Sequence, residues 1–158
     1  MNRNSFLQTF YNGLIAMGES LQSVLLLIIR LFWGYGFFQT GLGKLNKIQV
    51  TTAFFKSLGI PFANLNVYAA ASIELVGGLL LMFGLATRLI SIPLIVVMTV
   101  AYLTAHLDSV KNIFNDPNTF VSESPFSYLF ACLILFAFGP GKISIDYVIE
   151  KLIGSPRR

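Results

Sequence analysis

The chain reads as all-α: a polytopic membrane four-helix bundle with short amphipathic interfacial helices. Three observations predict this. Hydrophobic residues make up 55% of the 158 positions and charged residues only 11%, and the mean hydropathy is +0.73, outside the range of an ordinary soluble domain. The apolar residues are also blocked into long runs, at about 22–43, 67–86, 89–107 and 125–139. Finally, two of these runs each carry a charged residue in their interior, Arg30 in the first and Glu74 in the second. Insertion costs roughly 2.5–3.5 kcal/mol for a charge at a helix centre, so such residues face protein or water.

Residues 1–20 place Phe6, Phe10, Leu14 and Met17 at helical spacing, which predicts an amphipathic lead-in helix at the interface. The domain proper then runs over 21–142, with a tail over 143–158. In the first span Arg30, Gly34, Phe37, Gly41 and Lys44 follow one another at steps of 4, 3, 4 and 3, so they share a face. Glycines let a neighbouring backbone approach, which turns that face inward. Val50–Leu58 forms a second amphipathic stretch, closed by Gly59-Ile60-Pro61.

The second span sets Ala70, Glu74, Gly77 and Gly78 on a common small-residue face, so Glu74 points into the bundle. The short turn Gly84–Leu89 makes spans two and three an antiparallel hairpin. Span three ends in the stripe Thr99, Tyr102 and His106, and the polar stretch Asp108–Ser124 reads as a loop. Span four runs from Pro125 to Gly139-Pro140-Gly141. A bilayer core needs about 20 helical residues, so the fourth run is short and relies on tilt or local thinning. Ile143–Ile153 is a surface-lying amphipathic tail.

Lys and Arg cluster at the run ends, so the net charge of +4 is a matter of headgroups and orientation, and no nucleic-acid partner is expected. Arg3, Arg88, Lys142, Lys151, Arg157 and Arg158 fall at one end, and Lys44, Lys47, Lys56 and Lys111 at the other. The positive-inside rule then predicts both termini cytoplasmic. No cleavable signal peptide is expected, because the first apolar run starts after Glu19 and Ser20 and carries Arg30 and several glycines. Single Cys132 excludes an internal disulfide or CxxC pair and reads as a small buried apolar residue. Single His106 excludes bis-His haem and a His/Cys metal cluster within one chain. There is no triad, phosphate loop or dinucleotide fingerprint. No haem, flavin or metal is expected.

The ordered set of short pieces resembles the DoxX family of membrane proteins. The pieces are Arg30-Leu31 with Gly34 and Phe38, Gly41 with Lys44-Leu45, Leu58-Gly59-Ile60-Pro61, Glu74 with Gly77-Gly78, Gly84 with Thr87-Arg88, His106, and Gly139-Pro140-Gly141 with Ser144 and Asp146. The resemblance implies a four-helix protein of the bacterial cytoplasmic (inner) membrane, linked to quinones through a relative of a thiosulfate:quinone oxidoreductase subunit. The run Phe54-Phe55 to Ile60-Pro61, with Ala86-Thr87-Arg88-Leu89-Ile90-Ser91-Ile92-Pro93, also resembles the members that accompany bufferin-type copper-binding peptide systems.

The functional expectation is an accessory redox subunit, at most a quinone-linked oxidoreductase subunit acting with a soluble or membrane partner. A quinone or other lipophilic ligand would sit in an outer-half polar pocket. Quinone reduction takes up protons, and Glu74 and His106 are the candidate carriers. Arg30, Gln39, Lys44, Glu74, Tyr102 and His106 are the candidate ligand-binding residues, with Phe37, Phe38, Tyr68 and Tyr102 flanking the ring. Counting helical rise puts Glu74 about 10 Å inside its span and Arg30 about 10 Å deeper still. A direct Arg30–Glu74 pair therefore stays open, with Gln39, Thr40, Lys44, Tyr102 and His106 nearer in level. The alternatives are a buried salt-bridge network that only fixes helix register, in a non-catalytic scaffold for a metal-stress or peptide-modification system, and a small proton- or cation-coupled transporter. Membrane lipid is an expected partner, and a homo-oligomer is compatible with the sequence.

Overall fold

The computed structural model describes residues 3–154, with side chains from Gln8 onward, and every regular element among them is helical. In chain order these are α1 (Arg3–Asn46), α2 (Ile48–Ser57), α3 (Ala63–Phe83), α4 (Thr87–Ala105), α5 (Leu107–Lys111), α6 (Pro117–Ser122), α7 (Ser124–Phe138) and α8 (Ile145–Ile153). α1, α3 and α4 are long and apolar enough to cross a membrane, and α7 is a shorter apolar helix of the same kind. Their outward faces carry Leu31, Phe32, Leu79, Leu89, Val96 and Leu133, all exposed. In a bilayer such a surface is solvated by lipid tails, and the helices satisfy their own backbone groups.

One expectation changes. The lead-in is not a separate interfacial helix, because α1 runs unbroken for 44 residues. At 1.5 Å per residue that is about 66 Å, twice the ~30 Å hydrocarbon core. Its N-terminal part, residues 8–22, is exposed throughout and overhangs the bundle. No glycine C-cap or proline interrupts the sequence before Asn46, so nothing ends the helix where the amphipathic pattern gives way to the span. Residues 1–2, and with them the start of that stretch, lie outside the described residues, as do Arg157 and Arg158. The expected polar loop over 108–124 contains two short helices, α5 and α6.

The bundle is organised around the antiparallel contact of α1 with α3. Gly34 and Gly41 of α1 and Gly78 of α3 lie in it. A Cβ built on Gly41 would lie 2.5 Å from Leu75 N, and one on Gly78 would lie 2.5 Å from Gly34 O. Backbone meets backbone there, as small-residue membrane interfaces allow. Phe37, wholly buried between these glycines, joins a core of Leu26, Leu81, Leu94, Cys132 and Leu135. α4 packs mainly on α7, so the bundle is built from two helix pairs joined by the tight α3–α4 turn.

That turn is locked by the C-terminal segment. Ala86 carries a positive φ of 49°, a strained state for a residue with a Cβ. The Asp146 carboxylate accepts hydrogen bonds from Ala86 N at 2.7 Å and Thr87 N at 2.9 Å, capping α4, while Asp146 N donates to Gly84 O at 2.9 Å. Arg88 adds a bond to Ala137 O at 3.2 Å.

Gly41→Leu is expected to lower stability by roughly 1–3 kcal/mol through overpacking, read as the thermal unfolding midpoint in detergent. Gly43→Leu, on the same helix with nothing within 4 Å of its Cβ position, should leave the midpoint where it is. Equal midpoints for the two variants would contradict the α1–α3 contact.

Candidate functional site

The α1–α3 register decides where each intramembrane charge goes. Gly34 lies against Gly78 and Met82, and Gly41 against Ala71 and Leu75. Glu74 therefore faces α1 near Lys44, while Arg30 faces the end of α3 at Gly84. Glu74 and Gly84 are ten positions apart, about 15 Å of helix.

Glu74 is 1% exposed and its Oε2 accepts a charge-assisted hydrogen bond from Lys44 Nζ. Lys44 is partly exposed, its stem running down the apolar wall to reach the carboxylate. α3 begins at Ala63 rather than Val67, so Glu74 lies eleven positions inside its helix, about 16 Å. A lone carboxylate there would be costly, and the ammonium offsets that cost only because the two groups touch.

Arg30 does not meet Glu74. It is wholly buried beneath Gly84, where its Nη2 donates to Ile143 O and Asp146 supplies the opposing charge. Arg30 Nε and Nη1 and Thr87 Oγ1 have no hydrogen-bond partner among the described residues. The positive φ of Gly84, 66°, and its missing side chain make this fit: a Cβ would collide with the guanidinium. Arg30 thus belongs to the turn lock and holds the C-terminal segment to the bundle.

Beside the Lys44–Glu74 pair, where α4 diverges from α3, lies a cavity of about 510 Å³. Thr40, Lys44 and Phe37 of α1 line it, with Phe54 and Phe55 of α2, Ala70 and Glu74 of α3, Val97 and His106 on the α4 side, and Pro125 and Tyr128 of α7. The volume suits a drug-sized ligand, and the wall is mostly apolar with a few polar groups, the usual form of a small-molecule site.

His106 reaches the cavity from the end of α4. Its Nδ1 lies 2.8 Å from Glu123 Oε2, and Glu123 Oε1 accepts from Ser109 Oγ at 3.1 Å, so one carboxylate ties the end of α4 and α5 to the start of α7. Tyr102 stands behind His106 rather than in the cavity: its hydroxyl donates to Phe120 O at 2.9 Å and its ring stacks on Phe120 at 4.8 Å. In the same α4–α7 connection, the side-chain and backbone hydrogen bonds of Thr119 hold the Asp116 carboxyl below its usual range, as befits the N-cap of α6.

Of the residues singled out from sequence, the structure brings Glu74, Lys44 and His106 to a common cavity. Gln39 is exposed and donates to Tyr35 Oη on the lipid side. Tyr68 is exposed, Phe38 is not part of the wall, and only Phe37 of the expected ring-flanking aromatics lines the cavity. Tyr128 was missed. The signal for it was Gly36, which opens room on α1 for a large side chain from the last span, but helix pairing across that distance is not readable from periodicity.

Helices long and apolar enough to span a membrane, an ion pair with a buried carboxylate among them, and a largely apolar cavity define a polytopic helical membrane protein. A family model for DoxX matches residues 25–107. An uncharacterized protein of Haemophilus influenzae is 33% identical over 82% of this chain and 85% of its own length. "Putative oxidoreductase CatD" of Bacillus subtilis is 34% identical over 65% of this chain and 69% of its own. An uncharacterized membrane protein of Mycobacterium tuberculosis is 28% identical over 78% of this chain and 80% of its own. No solved structure matches significantly. The chain belongs to the DoxX family.

Lys44→Met should strand the Glu74 carboxylate and cost on the order of 3–5 kcal/mol, measured by thermal or denaturant unfolding in detergent. Lys44→Met combined with Glu74→Gln should recover most of that loss. A double variant as unstable as the single one would contradict a coupled pair.

Proposed function

We propose that this protein is an accessory redox subunit that binds a quinone-type ligand in the Glu74 cavity and works with a partner that supplies electrons. The observation that carries this reading is the Lys44–Glu74 ion pair, its carboxylate buried, on the wall of an apolar cavity between helices long and apolar enough to span a membrane. Reduction of a quinone to its quinol consumes two electrons and two protons. The described residues offer proton carriers, Glu74 and His106, and a donor to a carbonyl oxygen, Lys44. They offer no evident electron carrier, so the reading assigns the electrons to a separate oxidoreductase that acts as the two-electron reductant. The oxidoreductase name of the Bacillus subtilis relative supports a redox setting for the family.

The Lys44–Glu74 pair suits this chemistry because its total charge is zero whichever partner holds the proton. A ligand carbonyl can take a hydrogen bond from Lys44 while Glu74 exchanges a proton nearby. His106, tethered through Nδ1 to Glu123, stands between that pair and the outer loop, where protons arrive from water. Val97, Phe54 and Phe55 exclude water from the ring itself.

Two measurements test the reading. Lipid extracted from detergent-purified protein should contain quinone at close to one per chain by mass spectrometry. Glu74→Gln should lower the unfolding midpoint less than Lys44→Met does, since the partly exposed Lys44 can turn its ammonium toward water, and should lose quinone-dependent activity in membranes. Normal stability with normal activity removes Glu74 from the chemistry.

The same reading places the protein in the bacterial cytoplasmic membrane, with the α3–α4 turn and both termini cytoplasmic and the α4–α7 connection outside. It rests on the uneven distribution of basic residues between the two ends. A reporter fused after Arg158 should be active only when it is a cytoplasmic reporter. Activity of a periplasmic reporter at that position reverses the orientation.

A further inference from the structure

α1 carries a second stripe beside the one that meets α3. In the part of the helix that runs past the bundle, Phe10, Leu14, Met17 and Leu21 follow one another at steps of 4, 3 and 4. The same alternation continues without a break into the span, at Val24, Ile28, Leu31 and Tyr35. All eight side chains are exposed, and none lines the Glu74 cavity. The inward stripe of Arg30, Gly34, Phe37 and Gly41 occupies a different side of the helix. A strict alternation of 4 and 3 held over eight successive positions is the seam of a coiled coil. It fits another helix with the same 3.5-residue repeat.

Lipid does not account for the whole stripe. Residues 23–46 alone form about 36 Å of helix, more than the ~30 Å hydrocarbon core. Gly141, at the end of the bundle, lies against Ser23 and Leu26, so residues 8–22 continue beyond it. No proline in α1 folds them back onto the surface. A helix that lies on lipid carries Lys and Arg on its polar face; residues 4–29 of this chain contain neither, and Glu19 is their only charge. An apolar stripe outside the bilayer calls for a protein to cover it.

The glycines of the overhang point the same way. Gly13 and Gly18 sit inside the helix, where glycine is weaker than alanine, and no described residue packs within 4 Å of either Cβ position. In the heptad frame set by the stripe they fall at the two positions that flank it, where they let a second backbone approach. Asn12, Ala16 and Glu19 take the opposite side.

We infer that the stripe is a homodimer seam. A second copy of this chain lays its own α1 against it, parallel and in register, as a two-stranded coiled coil that begins in the membrane and extends past it. A second copy is the occupant because two chains inserted with the same topology present identical stripes at identical depth. A two-fold axis along the membrane normal then pairs each position with itself.

Cysteine crosslinking of the full chain in native membranes tests the seam. Leu14→Cys and Met17→Cys, on the stripe, are compared with Asn12→Cys and Glu19→Cys on the opposite side; all four positions are exposed and lie outside the bundle. Buried Cys132 stays in place, and wild type serves as the blank. Under copper–phenanthroline oxidation, the disulfide-linked dimer on a non-reducing gel should be about tenfold stronger for the stripe variants, since positions on a parallel seam face their own copies. Adding Leu21→Glu to Leu14→Cys sets two carboxylates against each other and should remove most of that product. A dimer band no stronger at Leu14 and Met17 than at Asn12 and Glu19, its absence included, overturns the seam and leaves the stripe to lipid or to a different protein. A band that survives Leu21→Glu undiminished overturns it as well.

Discussion

The glycine-lined contact between α1 and α3 is the constraint on which the rest of the molecule depends. Because backbone meets backbone at Gly34–Gly78 and at Gly41–Leu75, the two helices cannot slide past each other without collision. That fixed register sends Glu74 to Lys44 and Arg30 to Gly84. A shift of one helical turn, about 5.4 Å, would separate both charges from their counter-charges inside the apolar layer. The packing of uncharged residues therefore decides whether the charged ones are affordable.

The two buried charges then serve different ends of the bundle. Arg30, Asp146 and the α3–α4 turn form a lock: the guanidinium is wholly buried, the carboxylate caps α4, and a side chain at Gly84 would collide with the guanidinium. Lys44 and Glu74 border open volume. The same class of interaction is structural where packing is complete and chemically available where helices part. The parting lies beyond the core that all four helices share at Phe37, Leu81, Leu94 and Leu135. There α2 and the α5–α6 connection lie across the gap.

Much of this was legible in the sequence, for physical reasons. Blocks of apolar residues long enough to span a bilayer mark α1, α3 and α4, and the i, i+3, i+4 stripes of glycine, Arg30 and Glu74 mark the inward faces. Lys44 stood on the same stripe as Arg30, near the level of Glu74, and could be named as a partner on that ground. The rest depended on contacts far apart in the chain. Arg30 finds its environment 113 residues away at Ile143, in a segment that reads only as an amphipathic tail. Tyr128 depends on Gly36 of a helix that precedes it by more than ninety positions. Gln39 shares neither the glycine stripe nor its burial, so level alone misplaced it. The unbroken α1 shows the opposite limit: a change from amphipathic to uniformly apolar pattern need not end a helix when no capping residue stops it.

The central claim is that the Glu74 cavity takes a quinone headgroup, and photolabelling tests it most directly. An azido-substituted ubiquinone, activated by light in native membranes and mapped by peptide mass spectrometry, should attach to cavity residues such as Thr40, Ala70 or Tyr128. An excess of decylubiquinone should displace it. Label confined to the outward faces, at Leu79, Phe83 or Leu89, or label that excess quinone does not displace, would contradict the claim.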